Sequence, residues 1–193
     1  FAAVSLLMGT LSVKAAAAHQ IAINVAATMF MIPFGLSLAI SQRVGFSIGQ
    51  GSLEKARFRG FVGIVICAGI MTFTALLLFL FPEFIISIYT DDPEVTGMAV
   101  LLLFMAAVFQ ISDGLQVGAF GALRGLKDTR VPMVVNFISY WIIGFPVGYV
   151  LGINLGYGPE GLWIGLICGL TVAAVLHNYR FNKLTKPETG LDY

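Results

Sequence analysis

Long runs of apolar residues, broken by short polar connectors, make up nearly the whole chain. Uncharged or nearly uncharged segments cover roughly residues 19–41, 60–81, 96–123, 131–153 and 161–178. As a helix, each is long enough to cross about 30 Å of hydrocarbon, which takes roughly 20 residues. Between them stand "SQRVGFSIGQGSLEKARFRG", "PEFIISIYTDDPEVT", "RGLKDTR" and "NLGYGPEG", with "HNYRFNKLTKPETGLDY" as the tail. These connectors are polar and rich in Gly and Pro, as turns require. The opening "FAAVSLLMGTLSV" is apolar but too short to span, with neither an initiator Met nor a cleavable leader, so it is expected to be the end of a helix cut short. The pattern predicts an all-α polytopic membrane protein with about five complete transmembrane helices and the end of a sixth.

Composition supports this reading. The chain is 58% hydrophobic and 11% charged, against about 25% charged residues in a soluble domain, and no segment suggests a second, soluble domain. A net charge of +1 without a basic arm excludes nucleic acid as a partner. Cys67 and Cys168 lie inside apolar runs without metal-ligand spacing and read as small hydrophobes.

Charge also orients the chain. Every Lys and Arg except Lys14 falls on alternate connectors: Arg43, Lys55, Arg57 and Arg59, then Arg124, Lys127 and Arg130, then Arg180, Lys183 and Lys186. The positive-inside rule places these in the cytoplasm, with the C-terminus. The opposite side carries Glu83, Asp91, Asp92, Glu94 and Glu160, and Asp91 and Asp92 are candidate acids at an outer mouth. "RVGFSIGQG" lacks the Lys-Ser/Thr of a phosphate loop and reads as a cytoplasmic turn. Pro33 and Pro146 fall within spans and are expected to kink them.

One residue breaks the apolar pattern. Asp113 lies about 20 Å from Val100 and about 16 Å from Arg124 at 1.5 Å per helical residue, near the bilayer midplane. An Asp at a helix centre costs about 2.5–3.5 kcal/mol on insertion, so it is expected to face a wet cavity on an ion or substrate path. Gln110 and Gln116, three residues before and after, are expected to share its face. Gln20, Asn24 and Thr28 form an i, i+4, i+8 polar face before Pro33, and Asn136 and Tyr140 another around "VVNFISYW". Both are candidate cavity linings; interhelical hydrogen bonding accounts for the first equally well and is the safer reading of the second. His19 is expected at the outer interface, and Tyr149 and Tyr157 as outer anchors.

Several strings also resemble one family. "AAAAHQIAINVAATMFMIPFGLSLAISQRVGFSIGQG" is similar to the eighth helix and following loop of the multidrug and toxic compound extrusion (MATE) family, NorM branch. "FQISDGLQVGAFGALRGLKDTR" resembles its tenth helix, "SYWIIGFPVGYVLG" its eleventh and "GLWIGLICGL" its twelfth. The resemblance implies a twelve-helix antiporter of two six-helix lobes. Residues 1–180 would form most of the second lobe, truncated at its start, and 181–193 a cytoplasmic tail. It also implies that Asp113 is the cation-coupling acid, with Na+ or H+ as coupling ion and no other cofactor. The branch commonly has a tyrosine where this chain has Phe109, and losing that hydroxyl removes a sodium ligand and favours a proton.

The resulting expectation is a secondary multidrug efflux antiporter of the bacterial inner membrane, not an enzyme. It would export organic cations and partner with membrane lipid and with the first lobe of the same polypeptide. A lipid-linked oligosaccharide flippase of the same superfamily would need cations inside the spans, and none is present. An intramembrane aspartyl enzyme would need a second carboxyl at the same depth.

Overall fold

The computed structural model describes residues 2–186, and every regular element among them is helical. The elements are α1 (Ala2–Leu11), α2 (Val13–Gly49), α3 (Leu53–Leu80), α4 (Pro82–Ser87), α5 (Pro93–Gly125), α6 (Arg130–Asn154) and α7 (Gly158–Thr185). α2, α3, α5, α6 and α7 are long and apolar enough to cross a membrane. With no water in hydrocarbon, backbone N–H and C=O groups must bond within the segment, and a continuous helix does this. The chain is a multi-pass α-helical membrane protein.

The helices run further than the apolar runs that announced them. α2 has 37 residues and is about 55 Å long at 1.5 Å per residue, well beyond the hydrocarbon. The expected turn at "RVGFSIGQG" is therefore mostly helix: α2 continues to Gly49, and the reversal is confined to Gln50–Ser52, with Gly51 at φ +72°. Ser52 then caps α3 by accepting from the Lys55 N–H. The expected outer acids are placed similarly. Asp92 is the N-cap of α5, accepting from the Glu94 and Val95 N–H groups, while Asp91 is exposed beside it. At the other end α7 continues to Thr185, and Phe181, expected in the tail, is fully buried against Phe61. Residues 187–193 of that expected tail lie outside the described residues.

α5 is the axis of the bundle and packs against α2, α3 and α7. Lipid is as apolar as leucine, so close backbone approach and van der Waals contact must hold such helices together. Glycines on α5 permit that approach. A Cβ on Gly114 would stand 2.9 Å from the Cys67 carbonyl oxygen, and one on Gly118 2.9 Å from Ile64 Cα, both on α3. Gly121 and Gly125 meet α2 at Ser37 and at Ser41 and Val44 in the same way. A second seam joins α6 to α7: Gly144, Gly148 and Gly152 lie against Gly161, Gly165 and Gly169, one glycine per turn on each helix.

Neither internal proline breaks its helix. Pro33 is buried within a continuous α2, and its carbonyl lies 3.8 Å from the Cys67 thiol. α6 instead widens into π-helical turns at Ile138–Gly144 and Val150–Asn154, on either side of the segment that contains Pro146. Such turns allow the backbone to accommodate a residue that cannot donate an i→i−4 bond.

Two apolar clusters stack along the bundle. One is built around Leu78, Leu102, Phe109, Trp163 and Leu170, the other around Ile40, Ile64, Val117, Leu123 and Phe181. On α5 they part between Phe109 and Val117, and Asp113 lies in that gap.

The seam predicts the behaviour of two substitutions. Gly118→Ala should destabilise the protein by about 1–3 kcal/mol through overpacking. Gly97→Ala, with nothing within 4 Å of its Cβ, should match or exceed wild-type stability. Thermal unfolding in detergent measures both, and equal melting points would show that the seam is not sterically closed.

Candidate functional site

Asp113 is half-buried and opens onto a cavity of about 240 Å³. α2 contributes Ile23, Ala27 and Phe30, α6 contributes Tyr140, α7 contributes Leu170, and α5 itself adds Phe109 and Gln116. Among the described residues the Asp113 carboxyl has no hydrogen-bond or ion-pair partner. It is therefore free to take a proton or a cation from the cavity. The Gln116 amide nitrogen donates to Asn136 Oδ1 at 3.3 Å, which leaves the Gln116 carbonyl oxygen as a further donor atom for a cation.

The candidate lining residues divide into two groups. Phe109, Gln116 and Tyr140 stand beside Asp113, and Asn136 is linked to the site through Gln116. Gln110 does not line the cavity. Residues three before and three after Asp113 lie about 60° to either side of it, so they are roughly 120° apart and cannot both face one cavity. Gln110 is fully buried towards α2 and α3, where its amide donates to Met29 Sδ at 3.3 Å and its oxygen accepts from the Thr74 hydroxyl.

Gln20, Asn24 and Thr28 are also elsewhere. All three are exposed, about 100° around α2 from the cavity-facing line of Ile23, Ala27 and Phe30. Gln20 and Asn24 instead line a separate groove with Tyr89 and Asp92, and the Tyr89 hydroxyl donates to Asn24 Oδ1 at 3.3 Å. Thr28 donates to the Asn24 carbonyl of its own helix. His19, expected at the outer interface, is fully buried within the bundle, 3.0 Å from the Ser5 hydroxyl and edge-on to the Trp163 ring. The stub α1 covers it, and a short apolar segment gives no sign of that.

The residues missed on α2 and α7 are apolar, and nothing in an apolar run distinguishes a cavity wall from a lipid face. A second cavity of about 220 Å³ was likewise not legible. Trp141, Phe145 and Leu166 line it, and Phe109 and Tyr140 line both cavities, so these two rings form a shared wall. The arrangement places one acid, one amide and several aromatic faces around a single volume, a combination that suits cations through charge and ring quadrupoles.

Comparison with known proteins agrees with this architecture. The MatE family model matches residues 1–150. The chain belongs to the MatE family. A probable multidrug resistance protein NorM of Xanthomonas axonopodis pv. citri is 48% identical over 98% of this chain, and multidrug resistance protein MdtK of Yersinia pseudotuberculosis is 43% identical over the same share. The chain spans 42% of the length of each. Among solved structures, an outward-facing multidrug resistance MATE transporter superposes with a TM-score of 0.84 at 18% identity, covering 95% of this chain and 42% of that one. The eukaryotic MATE transporter AtDTX14 superposes at 0.82 with 23% identity, covering 89% of this chain and 39% of that one. At these identities the likeness shows the MATE fold.

The division of the two glutamines has a measurable consequence. Thr74→Val leaves the buried Gln110 oxygen without a donor and should cost about 1–3 kcal/mol, while Thr74→Ser keeps the hydroxyl and most of the stability. Unfolding curves for the two variants decide this, and wild-type stability in Thr74→Val would remove Gln110 from the packing network.

Proposed function

We propose that this MatE-family chain is the second lobe of a secondary multidrug efflux antiporter in the bacterial inner membrane, with Asp113 as its coupling residue. The observation that carries the proposal is the unpartnered Asp113 carboxyl on the wall of a cavity at the junction of the two apolar clusters. In support, the relatives at 48% and 43% identity are named as multidrug resistance proteins, and the chain's 42% share of their length fits one lobe of two.

The mechanism follows from what the carboxyl can bind. A bare carboxylate in low dielectric is costly, and either a proton or a sodium ion neutralises it. An organic cation offers the same compensation, together with ring contacts on Phe109 and Tyr140. The coupling ion and the exported cation then compete for one acid. The gradient shifts the balance between lobe conformations only to the extent that each ligand binds one of them better. A sodium ion would draw on the Asp113 carboxyl, the Gln116 amide oxygen and the Tyr140 phenol; a proton needs only the carboxyl. Phe109 gives no oxygen, which favours the proton. The partners are small cationic drugs, membrane lipid and the first lobe. The basic connectors and the C-terminus would face the cytoplasm.

The decisive assay uses the intact protein, as its gene expresses it, in proteoliposomes. Export of a fluorescent organic cation is followed under a sodium gradient alone and under a pH gradient alone. One gradient should drive export, and Asp113→Asn should abolish that drive; undiminished export by the variant would exclude Asp113 as the coupling site. Sidedness is tested separately. A cysteine introduced by Lys55→Cys should react with an impermeant maleimide only in inside-out vesicles, and one introduced by Asp91→Cys only in right-side-out cells; the reverse pattern would invert the topology.

A further inference from the structure

On the basic side of the bundle a groove lies between α2 and α3 that the transport reading does not use. Its floor is Ile40 against Gly63, where any side chain at 63 would collide with Ile40. Above that floor the groove is open, with a volume of about 360 Å³ and walls that include Leu36, Val62 and Ile66. The face around it is apolar and exposed, Phe58 and Val65 among its residues, so in a membrane it meets acyl chains. Arg43 and Arg59 also line the groove. Arg43 lies two residues beyond the apolar run 19–41 and Arg59 directly precedes the run 60–81, which sets both at headgroup depth.

Arg59 is held in place there. Its Nη1 donates to the Ser47 hydroxyl at 2.8 Å and lies 3.5 Å from the Arg43 carbonyl, and the fully buried Ser47 donates to that same carbonyl at 2.9 Å. A guanidinium has five N–H donors. Among the described residues neither Arg59 Nε and Nη2 nor the Arg43 guanidinium has a partner, and neither arginine pairs with a carboxylate. Two other cations on this side are satisfied by protein, Arg57 by Asn182 and Thr185 and Arg180 by Asp128 at 2.9 Å.

We propose that the groove binds an anionic phospholipid of the adjacent leaflet, with its phosphate on Arg43 and Arg59 and one acyl chain along Leu36, Val62 and Ile66. Guanidinium groups match phosphate oxygens in geometry and charge, and basic pockets between membrane helices take acidic headgroups. A zwitterionic lipid offers the same phosphate but carries an ammonium that two arginines repel, so the site selects net negative charge. Only the membrane placement of α2 and α3 is needed, and lipid retention is read without any transport step.

The test is native mass spectrometry of the intact protein equilibrated with equal amounts of phosphatidylglycerol and phosphatidylcholine. Wild type should retain phosphatidylglycerol in preference by about thirty-fold, the product of two basic contacts at the headgroup. Arg43→Gln with Arg59→Gln should bring the ratio near unity, whereas Arg124→Gln with Lys127→Gln, on another connector, should leave it unchanged. Val62→Trp fills the groove while sparing both arginines and should also abolish retention. Millimolar inorganic phosphate should not displace the lipid. Unchanged preference in the double arginine variant, full retention in Val62→Trp or displacement by inorganic phosphate would each overturn the proposal. Should loss of the Ser47 contact unfold Arg59→Gln, Arg43→Gln alone should lower the preference about five-fold, and an unchanged ratio there counts equally against the site.

Discussion

Close approach of helix backbones at glycine is the constraint on which the rest of this structure depends. Hydrocarbon gives helices little reason to associate through apolar burial, so contact must come from surfaces that fit closely. On α5 the glycines at 114 and 118 draw in α3, and those at 121 and 125 draw in α2. This fixes α5 at the centre and determines which of its flanks are sealed. The sealed flank holds Gln110, whose amide is used up by Met29 and Thr74. The flank left unsealed carries Asp113, Gln116 and Phe109. The cavity is thus what remains on the side of the axis where backbone approach is not closed.

The same constraint sets the energetics of the acid. Asp113 sits where the two apolar clusters part, so neither cluster has to enclose it, and the volume beside it can admit water or a ligand. A carboxyl packed directly between α5 and α3 would have had to bond to Thr74 or another hydroxyl and would be structural. The difference between Gln110 and Asp113 is therefore one of angular position on one helix, not of depth.

The spans, the existence of the cavity-facing acid and the family could all be read from hydropathy, one midplane charge and a few strings. Helix ends could not be read so closely, because α2 and α7 remain helical after they leave the hydrocarbon, where polar composition no longer reports on backbone hydrogen bonding. The polar stripe Gln20, Asn24 and Thr28 misled for a different reason. A periodicity shows that residues share a face but not which neighbour that face meets, and here it is Tyr89 and the start of α5. The burial of His19 was not legible because its cover, α1, is too short to register as a membrane element. Glycine was read as turn chemistry in the connectors alone; inside the spans its one-per-turn spacing was the packing signal.

α6 differs from the other spanning helices in how it is held. It leans chiefly on α7 through the Gly144, Gly148 and Gly152 seam, carries π-helical turns around Pro146 and leaves most of its surface uncovered. It also supplies Tyr140, part of the wall shared by both cavities. In effect α2, α3, α5 and α7 form a packed frame, and α6 is a rib fastened to it along one glycine seam. Because Tyr140 stands in the wall shared by both cavities, any displacement of that rib would alter the width of the two together.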